Sequence, residues 1–228
     1  MAGAWQRAES VVVVVPAHNE KDVLPACLSS IAVAARRVEI PVRVVVVLDD
    51  CTDGTAACIP AGVESIAVRG RSVGQARRAG FDHGFWDERT WFATTDADSV
   101  VPQNWLTEQL SAARDGWDAF VGTITVGNWT DWPPEVAARF LAEYQPADGH
   151  RHVHGANLGM WASVYFGVGG FALIAQDEDV DLVARLRLAQ VPICWSSRAP
   201  VLTSARRDGR ASGGFSDYLV GLADGEAS

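Results

Sequence analysis

The sequence predicts an α/β fold in which a mostly parallel central sheet is flanked by helices. Two runs of β-branched residues, at 11–15 and 42–48, are each followed by a stretch with helical periodicity. Such strand–helix–strand units build parallel sheets through right-handed crossovers. A further apolar strand begins at Trp91 and leads into an Asp-x-Asp pair, Asp96 and Asp98. Open α/β sheets bind ligands at the carboxyl ends of their strands, so these acids mark the expected site.

The composition limits the classes of protein to which the chain can belong. Its formal net charge of -9 argues against a nucleic-acid-binding protein, which normally presents a basic face. The 4 cysteines are scattered without a CxxC pair, which is typical of free thiols in a reducing compartment. The apolar run 11–15 is too short for a signal peptide or a membrane span. We therefore expect a cytoplasmic protein with at most peripheral membrane association, no nucleic-acid partner and a possible homodimeric state.

The first half of the chain alternates strands with helices. After the strand 11–15, Asn19 is a candidate cap for a helix whose apolar stripe runs over 24–31. The second strand, 42–48, ends at two further acids. A third short strand is expected over 64–68, and Ser72 is expected to cap the next helix.

The helix that follows Ser72 has several basic residues, and two interpretations of them stay open. They form either a solvated basic face or a helix entrance that faces phosphate groups. The residues concerned are Arg69, Arg71, Arg77 and Arg78.

The second half of the chain is less regular. Its predicted helices cover 104–114, 136–144 and a stretch that starts at the acids Glu178, Asp179 and Asp181. The apolar positions expected in that last helix are Val180, Val183, Leu186 and Leu188. Strands are expected over 119–126 and near Trp161, followed by two closing strands over 191–197 and 199–204. Residues 206–228 form an Arg- and Gly-rich tail that we expect to be flexible.

Four segments in a fixed order resemble the inverting family 2 glycosyltransferases of the GT-A fold. They are VVVVVPAHNE, VVVVLDDCTDGT, TTDADSVVPQNWL, and GANLGMW, GGF and DEDVDLVARLRLAQ together. The resemblance runs from about Val11 to Thr203. It implies one GT-A domain over 1–228, with a Rossmann-like nucleotide-sugar-binding half at about 10–100 and an acceptor-binding half over 101–205.

The resemblance also implies roles for residues on the donor side. Asp49 matches the acid that recognises the nucleotide base, since a carboxylate can accept from an imide N–H group. Asp96 and Asp98 match the acids that hold Mn²⁺ or Mg²⁺ against the donor's diphosphate. The loop after the first strand is expected to contact the donor through Pro16, Ala17 and Glu20.

On the acceptor side, Asp179 matches the general base that removes the proton of the acceptor hydroxyl. The acceptor-binding residues implied are Gly155, Ala156, Asn157 and Glu178. Taken alone, the acids that open this helix have a plainer explanation, because negative charge stabilises a helix N-terminus.

The chain departs from the family pattern at several points. The segment LDDCTDGT lacks one residue of the usual motif, which leaves a choice between uracil and guanine donors. No histidine follows the last strand, so His154 is a candidate third metal ligand; a solvated loop is the alternative explanation of His150, His152 and His154. Arg206 and Arg207 are candidates for binding the donor's diphosphate, and a solvated basic tail is the alternative.

The function that these residues favour is metal-dependent transfer of a sugar, with inversion, from a UDP- or GDP-sugar to an unidentified hydroxyl acceptor. Two alternatives remain at this point. One is a nucleotide-sugar-binding subunit without turnover, suggested by the missing histidine. The other is a sugar-phosphate nucleotidyltransferase, although its usual glycine-rich loop is absent after the first strand.

Overall fold

A computed structural model describes residues 7–207, 209 and 214–224. This part of the chain contains seven strands and seven α-helices. The strands are β1 (Ser10–Ala17), β2 (Val42–Asp49), β3 (Glu64–Val68), β4 (Thr90–Thr94), β5 (Ala119–Val126), β6 (Leu158–Trp161) and β7 (Ile193–Thr203). The helices are α1 (Leu24–Ala35), α2 (Val73–Asp82), α3 (Trp105–Arg114), α4 (Pro134–Glu143), α5 (Ala162–Gly167), α6 (Glu178–Leu188) and α7 (Phe215–Asp224).

All seven strands form one sheet in the order β3-β2-β1-β4-β6-β5-β7. The pairs β1–β2, β2–β3, β1–β4 and β5–β7 are parallel. Only β6 runs against its neighbours, β4 and β5. The predicted α/β class with a mostly parallel, helix-flanked sheet is therefore confirmed. The carboxyl ends of β1, β2 and β4 lie side by side at one edge of the sheet.

The valine run in β1 is buried on both faces of the sheet. Val11, Val13 and Val15 belong to the core cluster that contains buried residues of α1, α3, α4 and α7, whereas Val12 and Val14 belong to the cluster that contains residues of α2, α5 and α6. Successive side chains of a strand point to opposite faces, so a continuous apolar run suits a strand buried on both sides.

Several local expectations are wrong. Asn19 does not cap α1, which begins after Val23 without a side-chain cap; the Asn19 side chain instead accepts from the Thr52 N–H at 2.7 Å. In α6, Val180 and Leu188 are exposed, and the buried apolar residues are Leu182, Val183 and Leu186. The buried face of α6 therefore includes Leu182 and excludes Val180 and Leu188.

The end of the chain also differs from its prediction. The two closing strands are one strand, β7, whose register against β5 shifts between Gly122 and Ile124. Within the predicted flexible tail, α7 is a regular helix that packs against α4, with Leu219 and Leu222 buried. Residues 208, 210–213 and 225–228 of that tail lie outside the described part of the chain.

Candidate active site

A cavity of about 720 Å³ opens at the carboxyl ends of the parallel strands. Acids from distant parts of the sequence line it: Asp49 from the end of β2, Asp96 and Asp98 after β4, and Asp179 from the first turn of α6. Parallel strands bring their carboxyl ends to one edge, which is why residues so far apart in sequence converge. Pro16, Ala17, Glu20, Gly155, Ala156, Glu178, His154 and Arg206 line the same cavity.

Asp49 orders the loop that leads into α2. Its carboxylate accepts from the backbone N–H groups of Gly70, Arg71 and Ser72 at 2.8, 2.9 and 2.8 Å. Ser72 in turn caps α2 through its hydroxyl, which accepts from the Gln75 N–H. The sequence-based cap at Ser72 is therefore confirmed. The start of α2 consequently faces the cavity in a fixed position.

Asp98 lies close to two other carboxylates, those of Asp96 and Glu20. Burial, opposed by Arg206 and assisted by Asp96 and Glu20, raises the pKa of the Asp98 carboxyl to about 7. The Arg206 guanidinium lies 3.2 Å from the Asp98 carboxylate. A site with this electrostatic character favours a cation.

Arg206 also crosses the cavity to Glu20, whose side chain is buried. Its two terminal nitrogens contact the two carboxylate oxygens of Glu20 at 2.7 and 2.5 Å. Arg207 has a different partner: its guanidinium lies over the ring of Trp132, 4.9 Å from the ring centre. Only Arg206 of the two arginines lines the cavity.

Arg77 is buried beneath the cavity, and neither interpretation of the basic residues anticipated this. Its guanidinium binds Asp96 at 2.5 Å and also binds Glu178, and its positive charge acts on Asp179. A sequence signal does exist. Arg77 is three residues from both Gly74 and Gly80, so helical spacing places it on the buried, small-residue face of α2.

Asp179 is held by the loop that precedes β6. Its carboxylate accepts from the Gly155 N–H at 2.6 Å and from the Val180 N–H at 2.8 Å. Burial raises the pKa of the Asp179 carboxyl, whereas Arg77 lowers it and Glu178 raises it. A buried carboxylate with a raised pKa is suited to accept a proton near neutral pH.

Asn157 does not reach the cavity, so the expectation that it contacts an acceptor is wrong. It is fully buried, and its amide donates to the carbonyls of Thr123 and Ala199, each at 2.9 Å. Its oxygen accepts from the Trp105 indole N–H at 2.9 Å. The amide therefore fixes the loop that presents Gly155 and Ala156 to the cavity.

The three alternating histidines do not form a solvated loop. Their rings stack in a row, with centroids 5.8 Å apart for His150 and His152 and 6.4 Å apart for His152 and His154. His150 is buried, and burial lowers the pKa of His154 to about 3. Neither His154 nor any other His, Cys, Asp or Glu among residues 7–207, 209 and 214–224 belongs to a group of three or more able to hold a metal ion.

The site nevertheless fits a divalent ion of a particular kind. Mg²⁺ and Mn²⁺ are often bound by one or two carboxylates together with substrate phosphates, rather than by a complete protein cage. Asp96 and Asp98 supply two such carboxylates in a negative environment. These two residues would hold the ion, and a bound diphosphate would supply further oxygens.

A comparison with models of protein families identifies the family to which the chain belongs. Residues 12–175 match the model described as glycosyl transferase family 2. The chain belongs to glycosyl transferase family 2. The family match covers β1 to the segment before α6 and therefore includes Asp49, Asp96, Asp98 and Gly155. It ends before Asp179, Arg206 and α7.

Curated relatives of this family 2 chain include two transferases described as undecaprenyl-phosphate 4-deoxy-4-formamido-L-arabinose transferase. The one from Serratia proteamaculans is 30% identical over 141 residues, which cover 58% of this chain and 42% of the relative. The one from Aeromonas hydrophila is 30% identical over 164 residues, covering 68% and 48%. The chain thus spans less than half the length of these relatives.

Solved structures confirm the GT-A fold. S. aureus TarS 1–349 in complex with UDP-GlcNAc aligns with a TM-score of 0.67 at 14% identity, covering 95% of this chain and 66% of that 1–349 chain. The mannosyltransferase PcManGT from Pyrobaculum calidifontis, in complex with GDP-Man and Mn²⁺, aligns with a TM-score of 0.63 at 19% identity, covering 88% and 58%. In the part of the chain that the structure describes, no helix is long and apolar enough to span a membrane.

Proposed function

We propose that this chain is an inverting, metal-dependent glycosyltransferase that moves a sugar from a nucleotide-diphospho-sugar to an acceptor hydroxyl. The observation that carries the proposal is the convergence of Asp49, Asp98 and Asp179 on one cavity. The family match and the nucleotide-sugars named for the two structural neighbours support it.

The donor side has room for a nucleotide. Asp49 uses three of the roughly four lone-pair positions of a carboxylate for backbone N–H groups, which leaves one to accept from a base N–H. Pro16, Ala17 and Glu20 line the adjoining wall. Asp96 and Asp98 would hold Mn²⁺ or Mg²⁺, which when bound stabilises the charge of the departing diphosphate.

The transfer step follows from the position of Asp179. The acceptor hydroxyl oxygen forms a bond to the anomeric carbon, and the bond from that carbon to the diphosphate oxygen breaks. The nucleoside diphosphate leaves with the electron pair, and the hydroxyl proton passes to the Asp179 carboxylate. Gly155 orients that carboxylate, and the positive charge of Arg77 lowers its pKa against the raising effect of burial. In-line attack of this kind inverts the anomeric centre.

A thermal-shift panel tests the proposal. The purified chain is heated with UDP-, GDP- or TDP-sugars, each with and without Mn²⁺, and with the matching nucleoside monophosphates as controls. One nucleotide-sugar should stabilise the protein in a metal-dependent manner, by about 2.7 kcal/mol at a concentration of about 100 Kd. Absence of metal-dependent stabilisation by every nucleotide-sugar would contradict the proposal. A cytoplasmic location, a homodimeric state and peripheral membrane association remain predictions.

A further inference from the structure

Two groups of side chains of different chemistry line the cavity. One group is the acids after β2 and β4. The other is what we call the aromatic wall: Phe140 from α4, Tyr144 directly after it, and Phe215 and Tyr218 from α7. The four rings are in contact as a group, with centroids 4.9 Å apart for Phe140 and Tyr144, 5.7 Å for Phe140 and Phe215, and 6.1 Å for Phe215 and Tyr218.

The aromatic wall has an inner part that is fixed and an outer part that is accessible. Phe140 and Tyr144 are buried, and the Tyr144 hydroxyl accepts from the Ile124 N–H at 2.8 Å. Phe215 is half-buried, and Tyr218 is 41% exposed. The accessible rings of Phe215 and Tyr218 therefore line the cavity, and Phe215 packs against the buried ring of Phe140.

This wall is continuous with the loop that holds the candidate base. The ring of Tyr144 contacts the His154 ring at a centroid distance of 5.5 Å. His154 directly precedes Gly155, whose N–H donates to Asp179. A molecule that lies on the aromatic wall is thus led toward the Asp179 carboxylate.

The charges on this side of the cavity are negative. Four carboxylates line it, and they belong to Glu143, Asp177, Glu178 and Asp179. The arginines of the described lining are Arg71, Arg77 and Arg206. Arg77 and Arg206 already bind carboxylates, and Arg71 lies 3.9 Å from Asp50. An anionic group entering next to the four carboxylates would meet like charge, so repulsion would disfavour it.

We propose that the acceptor is an uncharged molecule whose reacting hydroxyl lies next to a flat, apolar portion that packs on the aromatic wall. This inference rests on the proposed function and adds the class of acceptor. It separates this chain from its relatives, whose descriptions name undecaprenyl-phosphate. A neutral hydroxyl has a proton to lose and needs a base such as Asp179. A phosphate oxygen is already ionised at neutral pH and needs none.

Calorimetric titration of four probes tests this inference. Phenyl β-D-glucopyranoside carries a neutral hydroxyl group and an aromatic ring, methyl β-D-glucopyranoside lacks the ring, and phenyl phosphate and farnesyl phosphate carry an anion. Each is titrated into the nucleotide-free protein and into protein loaded with Mn²⁺ and UDP or GDP. The phenyl glucoside should bind most tightly, and the methyl glucoside about fivefold less tightly for loss of ring contacts.

Two kinds of variant test whether phenyl glucoside binds on the aromatic wall. Tyr218→Ala and Phe215→Ala should each weaken phenyl glucoside binding by about fivefold, because each removes a ring contact. Val220→Ala is the matched control, since Val220 is exposed on the same helix but does not line the cavity. Glu143→Lys should instead strengthen phenyl phosphate binding, because it replaces an exposed carboxylate of the wall by a cation.

The outcomes are distinct. Tighter or equal binding of farnesyl phosphate or phenyl phosphate by the unaltered protein would overturn the inference. So would the absence of phenyl glucoside binding, or equal binding of the two glucosides. Failure of every nucleotide to stabilise the protein would instead refute the donor-binding part of the proposed function, and the titrations of nucleotide-free protein would still decide the acceptor class.

Discussion

Arg206 and Glu20 form a bidentate ion pair across the mouth of the cavity, although 186 positions separate them in the chain. Glu20 follows β1 in the interior of the sheet, and Arg206 follows the edge strand β7. The pair therefore joins two distant segments of the fold, and Arg206 also lies 3.2 Å from the Asp98 carboxylate. Removal of one member of an ion pair whose partner is buried destabilises the fold, because the remaining buried charge is left uncompensated.

The first prediction concerns this ion pair. Arg206→Ala and Glu20→Gln should each lower the free energy of unfolding, and the double variant should lose less than the sum. We expect a coupling of about 1 to 3 kcal/mol in a double-mutant cycle measured by chemical denaturation. Arg198→Ala with Asp148→Asn is the control cycle, since that pair is exposed at the surface. A coupling near zero for Arg206 and Glu20 would show that the contact is not formed in solution.

The second prediction concerns the candidate base. Asp179→Asn should retain nucleotide-sugar binding but lower the transfer rate by about 10² to 10⁴, because an amide cannot take the hydroxyl proton. Asp181→Asn is the matched control on the same helix, since Asp181 pairs with Arg185 outside the cavity. Both variants are compared by radiolabelled sugar transfer and by donor thermal shift. Unchanged turnover in Asp179→Asn would remove Asp179 from the mechanism.

The third prediction is a pH dependence. Transfer requires the ionised Asp179 carboxylate, so the rate should fall as the pH is lowered through its raised pKa. Arg77 lowers this pKa and Glu178 raises it, so Arg77→Met should move the acidic limb of the kcat/KM profile to higher pH. Arg77→Lys should move it less, because the positive charge is kept.

The control for the pH profile is Arg78→Met. Arg78 is the next residue of α2, is partly exposed and donates to the Phe171 carbonyl rather than to the acids of the site. Its acidic limb should coincide with that of the unaltered protein. Coincident profiles for all three variants would show that Arg77 does not act on the base.

The fourth prediction concerns Gly155. A methyl group added there would collide with the Arg77 guanidinium, so Gly155→Ala should lower the free energy of unfolding by about 1 to 3 kcal/mol. It should also reduce transfer, because the displaced N–H no longer orients Asp179. Gly167→Ala is the control, since open space surrounds that position. Equal stability of the two variants in urea denaturation would disprove the predicted crowding.

The fifth prediction tests whether Asn157 supports the loop before β6 or contacts the acceptor. Asn157→Ala leaves two carbonyls and an indole N–H without partners, which should cost about 3 kcal/mol of unfolding free energy. Asn104→Ala, which removes one hydrogen bond near the surface, should cost less than about 1 kcal/mol. If Asn157→Ala raised only the KM for acceptor and left stability unchanged, the supporting role would be wrong.

Local patterns in the sequence predicted most of the sheet. The valine run of β1 and the acids after β2 and β4 can be recognised from neighbouring residues alone, because strand burial leaves a continuous apolar signal. The proximity of Asp49 and Asp98 followed from the topology of a parallel sheet, whereas the place of Asp179 in the same site came from the family resemblance.

The features that the sequence did not predict depend on contacts between distant segments. Arg77 is buried only because β4, α6 and the loop before β6 bring carboxylates and backbone around it. Asn157 is an internal support because its partners come from β5, β7 and α3. Likewise, β7 remains one strand because β5 follows its register shift, which no periodicity within residues 193–203 reveals.

The placement of Phe215 and Tyr218 on α7 has an evolutionary consequence. Both lie beyond the segment matched by the family model, on one short helix that contributes no acid to the nucleotide side. Exchange of that helix could retune what the enzyme glycosylates while leaving its choice of activated sugar intact. Diversification of products would then require changes in a few residues of one helix rather than a rebuilt catalytic centre.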